Sequence, residues 1–344
     1  VADRGWVLVR EARIMTAGGY VEETIGKLLR VMPRLVEGDR AINGELYAML
    51  GEAYAKSGER TEAFAAFDRA SALLDVSDPR MARVELLRGQ LLFSEDKAAA
   101  GERFREVLAR FAESDSAPRA LLGLAEVHAW MHNRAGSLDA TEDHLSIAID
   151  AYAQLAERIW RGQGRIGREA PRGSSSEASE PRASSPVIDD ASLAAPRVLL
   201  SIMSNHRDRF ESGDFAGAMR YASVAETLYS PEDCPTELLF ALARTSARRG
   251  DQILTQAVGG EPGAVSLAKA DPTAQRDARD FLLRAGRYYR RHADKVVLSD
   301  VAAFSDSIWS AAMMFDRAGD LDASIDAFQD FANSFPSDAR HPHA

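Results

Sequence analysis

Apolar residues recur at intervals of three and four along most of the chain, and this spacing predicts amphipathic helices rather than strands. The segment HLSIAIDAYAQLAERIW (144–160) shows the spacing, and so does GELYAMLGEAYAKS (44–57). Alanine is abundant and aromatic residues make up only 8% of the chain, a composition that favours helix. The pattern therefore predicts an all-α protein.

Three turns between these helices resemble one another. Each has an aromatic residue, a glycine three or four residues later, an acidic residue and then small residues at helical spacing. The three segments are YAKSGERTEAFAAF (54–67), FESGDFAGAMRYA (210–222) and FDRAGDLDASIDAF (315–328). Gly58, Gly213 and Gly319 suit the left-handed conformation that ends a helix, and Asp214 and Asp320 suit the cap of the next helix. Each segment is therefore predicted to be a helix–turn–helix hairpin.

Two copies of this hairpin carry a specific pattern of small and large residues. In the copy at 44–79 they are Tyr47, Leu50, Gly51, Tyr54, Gly58, Ala63, Phe67 and Ala70. In the copy at 305–338 they are Ile308, Ala311, Ala312, Phe315, Gly319, Ser324, Phe328, Phe331 and Pro336. This order of residues resembles the tetratricopeptide repeat, a helix pair in which small residues permit close helix contact. The second copy departs from the pattern at Ala312, where the repeat has glycine, and at Ser324, where it has alanine.

Weaker copies extend the resemblance over most of the chain. They lie at 2–35, 82–118, 119–160, 199–231 and 236–256. The resemblance implies an α-solenoid, a superhelix of about six to eight stacked antiparallel helix pairs. We expect N-terminal repeats over 1–160, a linker over 161–189 and C-terminal repeats over 190–344.

The expected linker contains Gly162-Gln-Gly164-Arg-Ile-Gly167, which has the letters of a dinucleotide-binding loop. That loop functions between a strand and a helix, where the pyrophosphate meets the helix N-terminus. Here a helical pattern precedes the motif, and a stretch rich in Ser, Pro, Glu and Arg follows it. We interpret the segment as a flexible linker and expect no bound nucleotide.

Charge and composition limit the classes of partner. The net charge is −10 and the sequence pI is about 5.3, which argues against general nucleic-acid binding. Cys234 is the one cysteine, so neither an intrachain disulfide nor a cysteine metal cluster is possible. No stretch of the sequence approaches the length of roughly 20 apolar residues that crosses a bilayer.

The ends of the sequence suggest a fragment or a processed form. The first residue is Val1, and the last segment, SFPSDARHPHA, ends where a further helix is expected to begin. The phrase IDAFQDFANSFPSD is loosely similar to repeats of bacterial envelope-assembly and cell-division coordinators. The expected location is therefore the cytoplasm or the periplasm and envelope of a bacterium.

Two other groups of residues invite a chemical interpretation. His128 and His132 lie four residues apart on one helix face, a spacing that can hold a metal ion, with Glu126 or His144 as a possible third ligand. We favour structural histidines, with an enzyme acting through this helix as the minor alternative. Tyrosines lie among arginines at 281–295, a combination that can bind single-stranded nucleic acid, but nearby aspartates favour a solvated helix face.

The tetratricopeptide resemblance implies a non-catalytic interaction scaffold that binds a protein or peptide in a concave groove. The first helix of each pair lines this groove. By register the groove residues are Glu45, Ala48, Glu52, Lys56, Met203, Arg207, Phe240, Arg244, Arg248, Trp309, Met313 and Asp316. We expect no cofactor, no metal and no catalytic residue. The alternative is an accessory repeat region of a larger protein whose catalytic or membrane-anchored part lies outside this sequence.

Overall fold

The computed structural model describes residues 2–34, 39–134, 138–166 and 195–343. These residues form fourteen α-helices, and none of them lies in a strand. Consecutive helices pack against each other as antiparallel pairs joined by short turns. The predicted all-α architecture of stacked helix pairs is therefore confirmed. The chain divides into two compact units, Val1–Leu193 and Ala194–Ala344.

The N-terminal unit contains four helix pairs. Its helices are α1 (Ala2–Ala17), α2 (Val21–Val31), α3 (Arg40–Ser57), α4 (Arg60–Leu73), α5 (Arg80–Leu92), α6 (Lys97–Arg110), α7 (Ala117–Arg134) and α8 (Leu138–Ile166). The first helix of each pair also contacts the first helix of the next pair, as α1 contacts α3 and α3 contacts α5. First helices therefore lie side by side along the unit.

The C-terminal unit contains three helix pairs. Its helices are α9 (Ala195–Glu211), α10 (Phe215–Glu226), α11 (Thr236–Val258), α12 (Pro272–Val296), α13 (Val301–Ala318) and α14 (Leu321–Ser334). Gly250, which the repeat pattern places near a turn, lies inside α11 instead. There it packs against Leu282 of α12, so α11 and α12 continue together to a longer hairpin loop.

Small residues permit close contact within the helix pairs, as the sequence pattern predicts. A Cβ atom on Gly51 would lie 2.5 Å from the ring of Phe67 on the partner helix. Gly89 of α5 faces Phe104 of α6 in the same way, at 2.6 Å, and Gly123 of α7 faces the same ring from the next pair, at 2.5 Å. These separations leave no room for a side chain, so glycine at these positions sets the distance between helices.

The turns also follow the prediction. Gly58, Gly213 and Gly319 have φ angles of 89°, 80° and 71°, the left-handed region that favours glycine. Asp214 accepts a hydrogen bond from the Gly217 amide of α10, and Asp320 accepts one from Ala323 of α14. Asp96 caps α6 in the same way, at a turn that has no glycine. Local chemistry therefore fixes where these helices end and begin.

The boundary of the expected linker differs from the prediction at its start. Helix α8 continues to Ile166, so the residues from 161 to 166 extend a helix. Gly162 and Gly164 of the glycine motif therefore have helical backbone, which is unlike a phosphate-binding loop. Gly167 and the rest of the expected linker lie outside the described residues.

Candidate functional site

The N-terminal groove residues predicted from α3 are partly buried in the structure. Glu45 is only 3% exposed, and its carboxylate accepts a hydrogen bond from Arg13 of α1 at 3.0 Å. Ala48 is buried as well. The expectation that these two residues face an open groove is wrong, because α1 packs along this face of α3.

Glu52 and Lys56, one and two turns further along α3, are engaged with the neighbouring first helices. Glu52 forms an ion pair with Arg83 of α5, and Lys56 lies 3.4 Å from Glu52. Lys56 also donates to the carbonyl oxygen of Thr16 on α1 at 3.3 Å. The charges on this face of α3 are therefore neutralised by its neighbours.

The residues predicted from α13 differ in their exposure. Trp309 is half-buried, and its ring lies 5.2 and 5.1 Å from the rings of Phe328 and Phe331 on α14. Met313 is half-buried and Asp316 is exposed. Trp309 therefore belongs mainly to the contact between α13 and α14.

The residues predicted from α9 and α11 come together. Met203, Arg207, Phe240 and Arg244 line a single groove of about 350 Å³ between these two helices. The remaining lining residues are His206, Phe210, Glu211, Glu237 and Ala241. We call this surface the α9–α11 groove. Arg248, the fifth residue predicted here, is exposed one turn beyond Arg244 and does not line it.

Five lining residues are absent from the groove that the sequence predicts, namely His206, Phe210, Glu211, Glu237 and Ala241. The signal was present in the repeat register. Glu211 stands at the repeat position of Lys56, and Glu237 stands at that of Glu45, both of which were predicted as groove residues. For Phe210 the sequence pattern predicts only a role as the aromatic residue of its turn.

At the groove, large and small residues are exchanged relative to the pair α3–α4. His206 stands where α3 has Gly51, and sixteen residues later Ala222 stands where α4 has Phe67. Both His206 and Ala222 are buried, and His206 Nε2 lies 2.8 Å from the hydroxyl of Thr245 on α11. Burial, together with the charges of Arg244 and Arg207, lowers the pKa of His206 to about 4. The imidazole is therefore neutral at pH 7.

Two arginines in the groove form no ion pair with the described residues. Within the described residues, Arg207 and Arg244 form no ion pair and no hydrogen bond, and Glu211 does not pair with Arg207 although it lies one turn away. The Arg244 guanidinium lies 4.9 Å from the ring of Phe210 and 5.6 Å from that of Phe240. Stacking of this kind uses the faces of the guanidinium and leaves its in-plane N–H donors available.

Phe240 connects the groove to α12. Its ring lies 5.2 Å from the ring of His292 and 6.1 Å from that of Tyr289. His292 in turn is held at 2.8 Å by the hydroxyl of Ser307 on α13. Burial lowers the pKa of His292 and raises that of Tyr289. The aromatic wall therefore rests on a packed, uncharged support.

The two glutamates lie at opposite ends of the groove. Helix α10 runs antiparallel to both α9 and α11, so α9 and α11 run in the same direction. Glu237 lies in the first turn of α11, and Glu211 is the last residue of α9. The two arginines of the groove therefore lie between two glutamates, and the exposed Arg248 lies beyond Arg244 towards the Glu211 end.

The candidate metal site on α7 has a different geometry from the one expected. His128 is brought to His144 of α8, with 3.0 Å between their Nδ1 atoms. Arg105 of α6 lies 3.1 Å from His128 Nε2, and because a guanidinium only donates, that nitrogen accepts. The proton of His128 is therefore on Nδ1 and is donated to His144. Burial, with the charges of Arg105 and His144, lowers the pKa of His128 to about 4.

This arrangement favours a structural role for the histidines. His128 is buried, and both of its ring nitrogens are occupied by hydrogen bonds. Among the described side chains, no three histidine, cysteine or acidic residues are grouped so as to hold a metal ion.

The basic segment of α12 is only in part the solvated face that the sequence analysis favoured, since Arg284 and Arg287 are exposed but other members bond to neighbouring helices. Arg291 and Tyr288 both bond to Glu226 of α10, at 3.2 and 2.7 Å, and Arg291 also donates to the carbonyl oxygen of Pro231. Arg290 pairs with Asp330 of α14. Tyr288, Arg290 and Arg291 therefore connect α12 to its neighbours.

None of the described helices combines the length and the apolar character that a membrane crossing requires.

No protein-family model and no curated protein sequence matches the chain. Among solved structures, the chain is similar to the C-terminal part of a TPR repeat-containing protein from Cytophaga hutchinsonii, with 10% identity and a TM-score of 0.45. That alignment covers 97% of this chain and 98% of the other. The chain is also similar to a monomeric mutant of IFIT1 with Gppp-AAAA, with 14% identity and a TM-score of 0.30 over 93% of this chain and 67% of the other. By the packing of its own helix pairs, this chain is a tetratricopeptide-like helical repeat protein.

Proposed function

We propose that this protein is a non-catalytic interaction scaffold and that the α9–α11 groove binds a segment of a partner protein. The observation that carries the proposal is the convergence of Met203, Arg207, Phe240 and Arg244, from two helices, on one open groove. Such sites suit protein recognition, because aromatic and arginine side chains contribute most of the binding energy at interfaces.

The contrast with α3 supports this location. On α3 the corresponding charged residues are neutralised by Arg13 and Arg83, so their binding capacity is already used within the chain. In the α9–α11 groove, Arg207 and Arg244 have no such partner among the described residues. Phe240 is 38% exposed, which leaves apolar area available for burial by a ligand.

The groove offers little for catalysis. Its one histidine, His206, is 6% exposed and is held by Thr245, so the imidazole is directed into the helix packing. A general base has to reach the proton that it removes. The proposed role is therefore binding.

The proposal is tested by affinity capture from a lysate of the source cells with three forms of the chain. They are the natural sequence, the double variant Met203→Ala/Phe240→Ala, and the control Leu298→Ala. Leu298 is 97% exposed and lies outside the groove, so its substitution removes apolar surface that the proposed ligand does not contact. Circular dichroism confirms that all three forms are folded.

The expected result is a set of proteins that the natural chain and the control both retain and that the groove variant loses. Identification of those proteins by mass spectrometry then names the partner. If the groove variant retains the same set as the natural chain, binding occurs elsewhere and the assignment of the groove is wrong.

A further inference from the structure

We infer that the ligand of the α9–α11 groove is a peptide segment that carries one acidic side chain between apolar residues. This inference rests on the proposed function and specifies the chemistry of the partner. It follows from the order of charges and apolar surfaces along the groove.

The side chains in the middle of the groove suit the binding of one carboxylate. Arg207 and Arg244 come from different helices and line the same groove, and neither has a carboxylate partner within the described residues. Arg244 is stacked between Phe210 and Phe240, which limits its rotamers before any ligand binds. A preorganised guanidinium loses less side-chain entropy when it binds a carboxylate.

The surfaces beside the arginines are apolar. Met203, Phe210 and Phe240 line the groove on both helices. Beneath them the neutral His206 adds no positive charge, because its pKa lies well below 7. A ligand therefore gains most when apolar side chains flank its acidic residue.

The ends of the groove disfavour further negative charge. Glu237 lines one end and Glu211 lines the other, and each would repel an acidic residue of a ligand that contacts it. A nucleic acid strand carries a phosphate at every nucleotide and would meet both glutamates. A single acidic residue within an apolar segment avoids this repulsion, so the charge pattern favours a peptide over a polyanion.

The test begins with a random-peptide phage library selected on the full chain. Each selected peptide is then synthesised with a fluorescent label, and its affinity is measured by fluorescence anisotropy. A second form of each peptide has its acidic residue replaced by the matching amide. A fluorescent oligouridylate serves as the nucleic acid probe.

Three protein forms are compared in these titrations. Arg207→Glu/Arg244→Glu reverses the charge of the groove, and Arg276→Glu/Arg287→Glu makes the same charge change at exposed positions of α12 outside it. Met203→Ala/Phe240→Ala removes apolar contacts and leaves the charges in place.

The expected result is enrichment of peptides with one Asp or Glu between apolar residues. We expect the amide form to bind about tenfold more weakly or worse, since hydrogen bonds to charged groups contribute about 1.5–3 kcal/mol. The Arg207→Glu/Arg244→Glu variant should lose binding of the acidic peptide, and the α12 control should retain it.

The remaining outcomes separate the two claims. Peptides that need Met203 and Phe240 but show no acidic preference would overturn this inference and leave the proposed function standing. Oligouridylate binding that is lost in the charge-reversed groove would overturn it in favour of a nucleic acid ligand. If no peptide is selected, or if the selected peptides bind all forms equally, the proposed function fails together with the inference.

Discussion

Helices α3 and α9 hold the same place in their helix pairs, yet one has its charges neutralised and the other has them available. The matched positions, α3 first, are Glu45 and Leu200, Ala48 and Met203, Gly51 and His206, Glu52 and Arg207, and Lys56 and Glu211. On α3, Glu45 is 3% exposed and Glu52 is ion-paired, whereas on α9 Leu200 is 71% exposed and Arg207 forms no ion pair within the described part of the chain. The repeat position alone therefore does not decide whether a residue is available for binding, because the neighbouring first helices do.

The largest effect is expected where α3 depends on glycine. Gly51→Leu places a side chain where a Cβ atom already lies 2.5 Å from Phe67, so the pair α3–α4 must separate. We expect a loss of about 2–4 kcal/mol in the free energy of unfolding, measured by urea titration. The control is Gly26→Leu on α2, where nothing lies within 4 Å of the added Cβ and stability should be unchanged or slightly higher. Equal stability of the two variants would contradict the close contact.

The exchange of large and small residues on α9 and α10 can be reversed. Ala222→Phe adds a large ring to a fully buried site and should cost about 1–3 kcal/mol. Combined with His206→Gly, which restores the arrangement of α3 and α4, it should cost less than the sum of the two single changes. A double-mutant cycle from urea titrations measures this coupling. Strict additivity would show that the two sites do not share one space.

Acid should affect α9 through a group that α3 lacks. The pKa of His206 is about 4 in the folded chain against an ordinary value of 6.5, so the unfolded chain binds more protons than the folded chain between these two pH values. The contribution of the neutral His206 to the free energy of unfolding is therefore fully present above pH 6.5 and is lost as the pH falls towards 4. For one such histidine the loss between pH 7 and pH 5 is about 2 kcal/mol.

The pKa of His206 can be read directly from the pH dependence of its ring resonances by NMR. Urea titrations at pH 7 and pH 5 then show whether a His206→Asn variant loses less stability on acidification than the natural chain. His128 contributes an acid sensitivity of the same sign in the N-terminal unit, so the difference between the two proteins is the informative quantity. A resonance that titrates near pH 6.5 would refute the buried, neutral imidazole.

The smallest effect gives the most direct test of the comparison. Glu52→Gln breaks the ion pair with Arg83 and should cost about 1 kcal/mol, as expected for a partly buried pair. Arg207→Gln at the matched position should change the free energy of unfolding by less than about 0.5 kcal/mol, because it has no partner to lose. Both values come from the same urea titrations. Similar losses of unfolding free energy in the two variants would contradict the proposed difference between α3 and α9.

The helix pairs and their turns could be predicted because their causes are local. Gly58 and Gly213 end helices through a backbone conformation, and Asp214 caps the next helix within a few residues. The small-to-large contact of Gly51 with Phe67 is also written within a single hairpin. Periodicity and turn chemistry were enough for these features.

The neutralisation of the charges on α3 by neighbouring helices could not be predicted, because its cause is not local. Arg13 and Arg83 come from helices about one repeat away on either side, and no sequence pattern within α3 predicts these ion pairs. The same holds for His128, which bonds to His144 on the next helix rather than acting with His132 on its own.

The loop that joins α11 to α12 offers a practical attachment point for a reporter group. Gly259, Gly260 and Gly263 all have positive φ, and the side chains from 256 to 264 are exposed. Loop tips of this kind accept inserted residues readily. Because α11 is one uninterrupted helix, its rise per residue places Val258 about 21 Å from Arg244 along the axis. A fluorophore in this loop would thus be held at a known distance from the groove and would serve as a molecular ruler for ligand arrival without touching the ligand.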